Sequence, residues 1–236
     1  MQKHTPSNSV DITESHNPQD PSPTRVLIVT AVDAEKEAVQ RGLNHAPGFD
    51  VIAGGVGPAA TAAATARQLV QGTYDWVISA GIAGGFAGQA EVGSIVIADT
   101  IIAADLGSET EDGFSSVREL GFGTDRVQAH PDSARKLAEA LTDAGVPVTL
   151  GPVLTVSTTT GTTATAACLL NRVPDAAAEA MEGFGVATAA AAAGVPVLEI
   201  RSISNQVGPR DRSAWKIKEA LQALESASSL LLEVLR

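Results

Sequence analysis

Three side chains that stand far apart in the chain, Glu35, Glu182 and Asn205, are of types that could act together. Glu35 follows an apolar run, Arg25–Ala31, and Asn205 ends a second expected strand, Val197–Asn205, whose last residues are polar. Glu182 precedes a run of small residues, Val186–Ala193, that reads as a tightly packed helix. In an α/β sheet, ligands sit off the carboxyl ends of strands, so these groups can face one pocket. Two carboxylates and an amide, with no H-x-x-x-H or C-x-x-C spacing to hold a metal, narrow the chemistry. They suit hydrolysis through a cation-like transition state. One carboxylate orients and deprotonates water, the other steadies the positive centre, and the amide donates a hydrogen bond to the leaving group. Taken alone, Asp33, Glu35 and Glu37 read better as a cap and first-turn acids that complement a helix dipole; what gives Glu35 weight is its place just past a strand's carboxyl end.

The elements that must position these groups alternate. Strands are expected at Arg25–Ala31, Asp50–Ala53, Trp76–Ser79, Gly93–Ala104, Val148–Val156 and Val197–Asn205, with Val148–Val156 interrupted at Gly151-Pro152. Helices are expected near residues 32–38, 59–71, 131–144, 186–193 and 213–235, where apolar or small residues recur at helical spacing. Such alternation indicates an α/β layered fold, a three-layer αβα sandwich around a mixed, twisted sheet. Ala80–Gly88 carries four glycines in the eight residues from Gly81 to Gly88 and is expected as a loop beside a ligand, since glycine lets backbone approach closely. Gly54–Pro58 matches neither a dinucleotide fingerprint nor a phosphate-binding loop. Residues 107–125 read as an acidic, irregular excursion. Ser157–Thr163 offers hydroxyls or backbone amides to a pocket. No G-x-S-x-G elbow occurs.

Bulk properties set the frame. The 236 residues suit a single domain at 25–236, preceded by a polar, Pro- and Ser-rich segment at 1–24 that reads as a disordered tail. Aromatics are 3% of the chain, so the core must be built from aliphatic side chains. A net charge of −11 argues against nucleic-acid binding and against a basic membrane surface. The one cysteine, Cys168, lies in an Ala-rich helical segment, reads as a small core residue, and permits no intrachain disulfide. No membrane-length apolar run or leader is evident, and the cytoplasm follows by default.

The landmarks Ala31–Glu35, Gly55-Val56-Gly57, Gly81–Gly85, Val92–Val96, Met181-Glu182-Gly183 and Arg201–Ser204 occur in an order that resembles the nucleoside phosphorylase/nucleosidase superfamily. The acid-bearing first loop lacks phosphate-binding arginines and is similar to the water-using methylthioadenosine/S-adenosylhomocysteine nucleosidases. The resemblance implies a set of roles. Glu35 polarises the attacking water, Arg201 helps to position it, and Glu182 holds the ribose hydroxyls with Met181 packed on the sugar. Ile82, Ala83 and Gly84 lie by the ribosyl centre, Thr158, Thr159 and Thr160 beside the base, and Ser204 and Asn205 at the purine. No cofactor or metal is implied. A homo-oligomer, a dimer or larger, is implied, with a neighbour's residues near the site.

Two departures sharpen the resemblance. Adenine-specific nucleosidases carry Asp where Asn205 stands, whereas Asn is the 6-oxopurine residue of phosphorylases. A hydrolase loop paired with a 6-oxopurine amide is similar to the futalosine hydrolases, which release hypoxanthine from futalosine in menaquinone formation. Ser is replaced by Ile82, and no aromatic base-stacker stands near Thr159. The benzoate of such a substrate would need a cation, and Arg210, Arg212 and Lys216 are the candidates. A phosphate-dependent phosphorylase and a non-catalytic purine-nucleoside sensor remain as alternatives.

Overall fold

The structure is a computed structural model that describes residues 24–111 and 113–235. Apart from Thr24, the expected tail at 1–24 lies outside the described residues. In chain order the elements are β1 (Val26–Thr30), α1 (Asp33–Gly42), β2 (Phe49–Ala53), α2 (Pro58–Gln71), β3 (Trp76–Gly85) and β4 (Ile95–Ala103). A hairpin follows, β5 (Gly107–Thr110) and β6 (Gly113–Ser116), then β7 (Arg126–Gln128), α3 (Pro131–Asp143) and β8 (Val148–Thr155). The chain ends with α4 (Thr163–Arg172), β9 (Ala178–Ala180), α5 (Gly183–Ala192), β10 (Val197–Gln206), α6 (Ile217–Ser229) and α7 (Leu231–Val234).

The mixed sheet expected from the alternation is present, but it does not lie open between layers. Its order is β10-β4-β8-β9-β3-β1-β2, and β10 also pairs with β3, so five of these strands close into a ring. The reason lies in β3 and β10, each ten residues long. One edge of β3 pairs with β10 along nearly its whole length. Its other edge is shared, with β1 on Val77–Ser79 and Trp76, and β9 on Gly84-Gly85. Register shifts at Ile203/Asn205 and at Ala98/Ile101 bend the strands further, as bulges do.

The core follows from the strand period. Val26 and Ile28 of β1 pack with Val39, Leu137, Leu141 and Leu224, while Leu27 and Val29 meet Val186, Ala187 and Ala190. Both faces of β1 are therefore dry, as its unbroken apolar run requires. Small residues bring α2 and α5 into close contact: a Cβ on Gly185 would lie 2.0 Å from the Pro58 carbonyl oxygen.

Several local expectations change. The glycine stretch after Ser79 is strand through Gly85, because its glycines make room for neighbouring side chains. Gly107–Thr110 and Gly113–Ser116 pair as the antiparallel strands β5 and β6. Gly151-Pro152 does not interrupt β8. The last helix starts at Ile217 after a 3₁₀ turn, Arg212–Ala214, because the Lys216 N–H bonds the Ser204 carbonyl at 2.8 Å and ties this segment to β10. Cys168 is exposed, since α4 turns Ala166 and Leu169 inward and leaves Cys168 on the solvent side. Among the described residues no helix is long and apolar enough to cross a membrane.

Candidate active site

A cavity of about 400 Å³ opens off the ends of β1, β3 and β10. Glu35, Glu182 and Asn205 all border it, as do Ile82, Ala83, Gly84, Thr159, Thr160, Met181 and Ser204. Of the residues proposed from the sequence for the reacting centre, the sugar and the base, two do not line it. Thr158 does not line the cavity, and Arg201 lies fully buried beneath it.

Glu35 enters from the first turn of α1, immediately beyond β1. Its Oε2 accepts the Ala31 N–H at 2.9 Å and the Val32 N–H at 3.3 Å, and its Oε1 accepts the Ile82 N–H at 2.9 Å. The side chain is held by both β1 and β3, so the first-turn reading and the site reading describe one residue. Asp33 is the first helical residue and not the cap. Burial raises the Glu35 carboxyl above its ordinary range. The Ile82 N–H and the Arg201 charge oppose this, and the nearby Glu182 adds to it.

Glu182 stands where the chain turns from β9 into α5. Its Oε1 accepts the Gly57 N–H at 3.3 Å, and its Oε2 accepts Met181 N–H at 3.2 Å and Arg201 Nη1 at 3.3 Å. The Thr61 hydroxyl reaches the Glu182 carbonyl at 3.2 Å. The turn that carries Glu182 is therefore fixed by the head of α2.

Arg201 links these acids from below. Its Nε donates to Glu199 Oε1 at 2.8 Å and its Nη2 to Ser79 Oγ at 2.9 Å. Glu199 is fully buried, its Oε2 has no partner among the described residues, and burial raises its carboxyl despite the Arg201 charge. Burial pushes the Arg201 guanidinium down, but Glu199, Glu182 and Glu35 more than offset that and hold it charged. Two glycines make the arrangement possible. A Cβ on Gly81 would lie 2.7 Å from both Arg201 Nη1 and Glu35 Oε1, and one on Gly183 would lie 2.3 Å from both Glu199 oxygens.

At the mouth, the Ser204 hydroxyl donates to Asn205 Oδ1 at 2.8 Å, and Asn205 Nδ2 donates to the Gln206 carbonyl at 3.0 Å. Of the three cations proposed for a carboxylate, Arg210 borders the cavity while Arg212 and Lys216 do not. Arg210 Nη1 donates to Thr159 Oγ1 at 3.2 Å, and its guanidinium lies 5.4 Å from the Trp215 ring centre. Trp215 lines the cavity and supplies the aromatic surface that sequence reasoning found missing near Thr159. Glu179, Glu199 and Trp215 were missed. The alternation Glu199-x-Arg201 on one strand was the signal for Glu199; Trp215 carried none, because a folded-back segment delivers it. Among the described residues no group of His, Cys, Asp and Glu could hold a metal ion. Chemically, the cavity offers two carboxylates over a buried cation, with a polar rim.

Comparison with known proteins gives the family. The family model described as the phosphorylase superfamily matches residues 43–236. A futalosine hydrolase from Streptomyces coelicolor is 52% identical over 230 residues, covering 89% of this chain and 96% of that protein. A futalosine hydrolase from Acidothermus cellulolyticus is 46% identical, covering 87% and 89%. Among solved structures, a putative 5′-methylthioadenosine/S-adenosylhomocysteine nucleosidase from Francisella philomiragia superposes with a TM-score of 0.77 at 15% identity, covering 89% of this chain and 98% of that one. A nucleosidase of the same description from Colwellia psychrerythraea, in complex with adenine, gives 0.75 at 22%, covering 90% and 94%. At those identities the structures speak for the fold alone.

Proposed function

We propose, from the premise that this chain belongs to the phosphorylase superfamily and to the futalosine hydrolases within it, that it hydrolyses the N-glycosidic bond of futalosine. The products are hypoxanthine and the dehypoxanthinyl sugar, a step of menaquinone biosynthesis. The observation that carries this reading is the convergence of Glu35, Glu182 and Asn205 on one cavity.

The roles are those that the resemblance implies, and the geometry supports them. Glu35 accepts a proton from water as the water oxygen bonds to the anomeric carbon and the bond to the purine breaks. A carboxylate raised by burial is a better base near neutral pH than an ordinary one. Glu182 holds the ribose hydroxyls and lies near the positive charge that develops on the ring, with Met181 against the sugar. Arg201 acts from beneath, orienting Glu182 through its Nη1 donor. Ile82, Ala83 and Gly84 form the strand wall along the ribosyl centre, with Thr159 and Thr160 beside the base. Asn205, oriented by Ser204, donates a hydrogen bond to the departing purine, whose ring nitrogens gain electron density as the bond breaks; the purine leaves as an anion and takes a proton from solvent, and Glu35 returns its proton to solvent. Trp215 stacks on the base, and Arg210 meets the benzoate carboxylate.

Residues 25–236 act as one domain, in the cytoplasm and without a cofactor. Val32 and Val56 border the cavity yet are 43% and 57% exposed, which supports a homo-oligomer whose second copy covers them. The test is incubation with futalosine in phosphate-free buffer, followed by chromatography. Hypoxanthine release without phosphate is expected. A strict need for phosphate, with a sugar phosphate as product, would replace the hydrolase with a phosphorylase; tight binding with no turnover would leave a sensor.

A further inference from the structure

The floor beneath the cavity holds one acid that the steps above leave without a role. Glu199 lies on β10, two residues before Arg201, and is fully buried. A buried carboxylate is costly to keep unless it is paired and bonded. Among the described residues six charged side chains are buried: Glu35, Asp125, Glu179, Glu182, Glu199 and Arg201. Asp125 is paired with Arg118 and Arg126, and Glu179 is bonded to Thr160. The other four form one cluster, three acids around a single cation. From the elements packed about it, β1, β3 and α5 contribute no titratable side chain. Arg67 of α2, Asp99 of β4, Lys36 of α1 and Lys218, Glu219 and Glu225 of α6 are not buried.

Arg201 spreads its donors over three elements. Nε goes to Glu199 Oε1 at 2.8 Å, Nη2 to Ser79 Oγ at 2.9 Å and Nη1 to Glu182 Oε2 at 3.3 Å. The bond to Glu199 is the shortest, and Glu199 does not line the cavity. The bond to Glu182 is long for a charged pair. Arg201 Nη1 also lies near Glu35, without a hydrogen bond between them: both it and Glu35 Oε1 are 2.7 Å from where a Gly81 Cβ would stand. Glu199 itself is wedged under the head of α5, since a Cβ on Gly183 would lie 2.3 Å from both its oxygens. The N-terminal end of a helix favours a carboxylate. Gly183 follows Glu182 directly, so Glu199 is pinned between the cation and the turn that carries Glu182.

The charge of Arg201 thus has three claimants, of which two face the cavity. With only those two, the guanidinium would be drawn up toward them and would weaken both the base and the acid beneath the sugar. We propose that Glu199 is a positioning residue for the hydrolysis, anchoring Arg201 from below and answering its charge there, so that the guanidinium orients Glu182 without capturing Glu35. This role rests on the hydrolase reading above. Burial holds the Glu35 carboxyl up and the Arg201 charge opposes it. Glu199 does not touch Glu35 and acts on it through Arg201.

The experiment measures kcat and KM for futalosine against pH in the wild type, Glu199→Gln and Glu199→Asp, with circular dichroism to verify folding. Glutamine keeps the shape and still accepts from Nε, but carries no charge. Its kcat should fall roughly 10-fold with KM within a few-fold. The acid limb of its kcat profile should move down by about 0.5 in pH or more, because an unanswered Arg201 charge favours ionised Glu35. Aspartate keeps the charge and should return the limb to its wild-type position, whatever its shorter reach costs in turnover. A limb unmoved in Glu199→Gln, or moved alike in both variants, would reduce Glu199 to packing and overturn the proposal. A measurement on the wild type does not depend on how the variants fold. Arg201 is the one buried arginine among the described residues, so its Nε–H should be the slowest of the arginine Nε–H groups to exchange in a nuclear magnetic resonance spectrum. Its proton should resonate downfield of those of the exposed arginines across the whole kcat plateau, as a charged acceptor requires. A position among theirs would mean a neutral acceptor and overturn the proposal. If the wild type releases no hypoxanthine, the hydrolase reading fails by itself, and the Nε–H resonance still decides whether Glu199 answers the charge of Arg201.

Discussion

The floor and the rim of the cavity are built on different principles. On the floor, Glu35, Glu182, Glu199 and Arg201 are all buried, each fixed by one to three short hydrogen bonds from strands or helix starts. On the rim, Thr159, Arg210 and Trp215 belong to irregular segments, are exposed or half-buried, and make few contacts beyond their own loop. Fixed charges in a dry setting stabilise a developing charge without reorganising, which is what bond cleavage needs. A loosely held polar rim is suited to choosing a substrate. The floor should therefore control how fast the bond breaks, and the rim which nucleoside arrives.

The strongest way to break this division is Glu35→Gln. It should reduce kcat by about 10³-fold while leaving hypoxanthine binding within a few-fold, measured by single-turnover assay and calorimetry. Retained turnover would remove the acid from the chemistry. The same residue predicts a pH limb. Because the Glu35 carboxyl is raised and acts ionised, the acid side of the kcat profile should fall at a pH above that of an ordinary glutamate, and Glu35→Gln should abolish the limb.

The rigidity of the floor is tested next by Gly183→Ala. The new methyl would meet both Glu199 oxygens, so a loss of about 1–3 kcal/mol in urea unfolding is expected. Tolerance without loss would mean that the floor yields easily. On the rim, Asn205→Asp should leave the fold unchanged and shift kcat/KM about 10-fold toward the 6-amino nucleoside, which a two-substrate competition assay would read.

The smallest effect sharpens the electrostatic side of the comparison. Glu179 and Glu199 are both raised by burial in the folded chain. The folded state then binds more protons than the unfolded one, so their contribution is fully present below the ordinary glutamate range and is lost as pH rises through the raised values. Stability should decline gently over that window, and Glu199→Gln should flatten the slope.

Much of this was legible in the sequence, for physical reasons that can be named. A buried parallel strand such as β1 prints as an unbroken apolar run, and β8 and β10 keep enough aliphatic residues to be readable, so the residues at their carboxyl ends were readable with them. Asn205 stood out because it interrupts a motif at a position where only a proton donor or an amide makes chemical sense. Ring closure was hidden, since it depends on two long strands sharing an edge and on bulges that have no period. Gly81 was taken for a loop residue because glycine is ambiguous until its neighbours are known: here it clears space for Arg201 and Glu35. Glu179 escaped because a three-residue strand is too short to announce which way its middle side chain points.

The ring has one further consequence. Arg201, Asn205 and Glu179 all sit on strands that close upon each other, but Glu35 follows β1, which pairs outside the ring with β3 and β2. Warming or mild denaturant should loosen that outer pair first, and amide exchange would register it there ahead of β10. A molecule in that half-open condition would still recognise its purine but would have lost its grip on water. Its first failure would be to become a receptor.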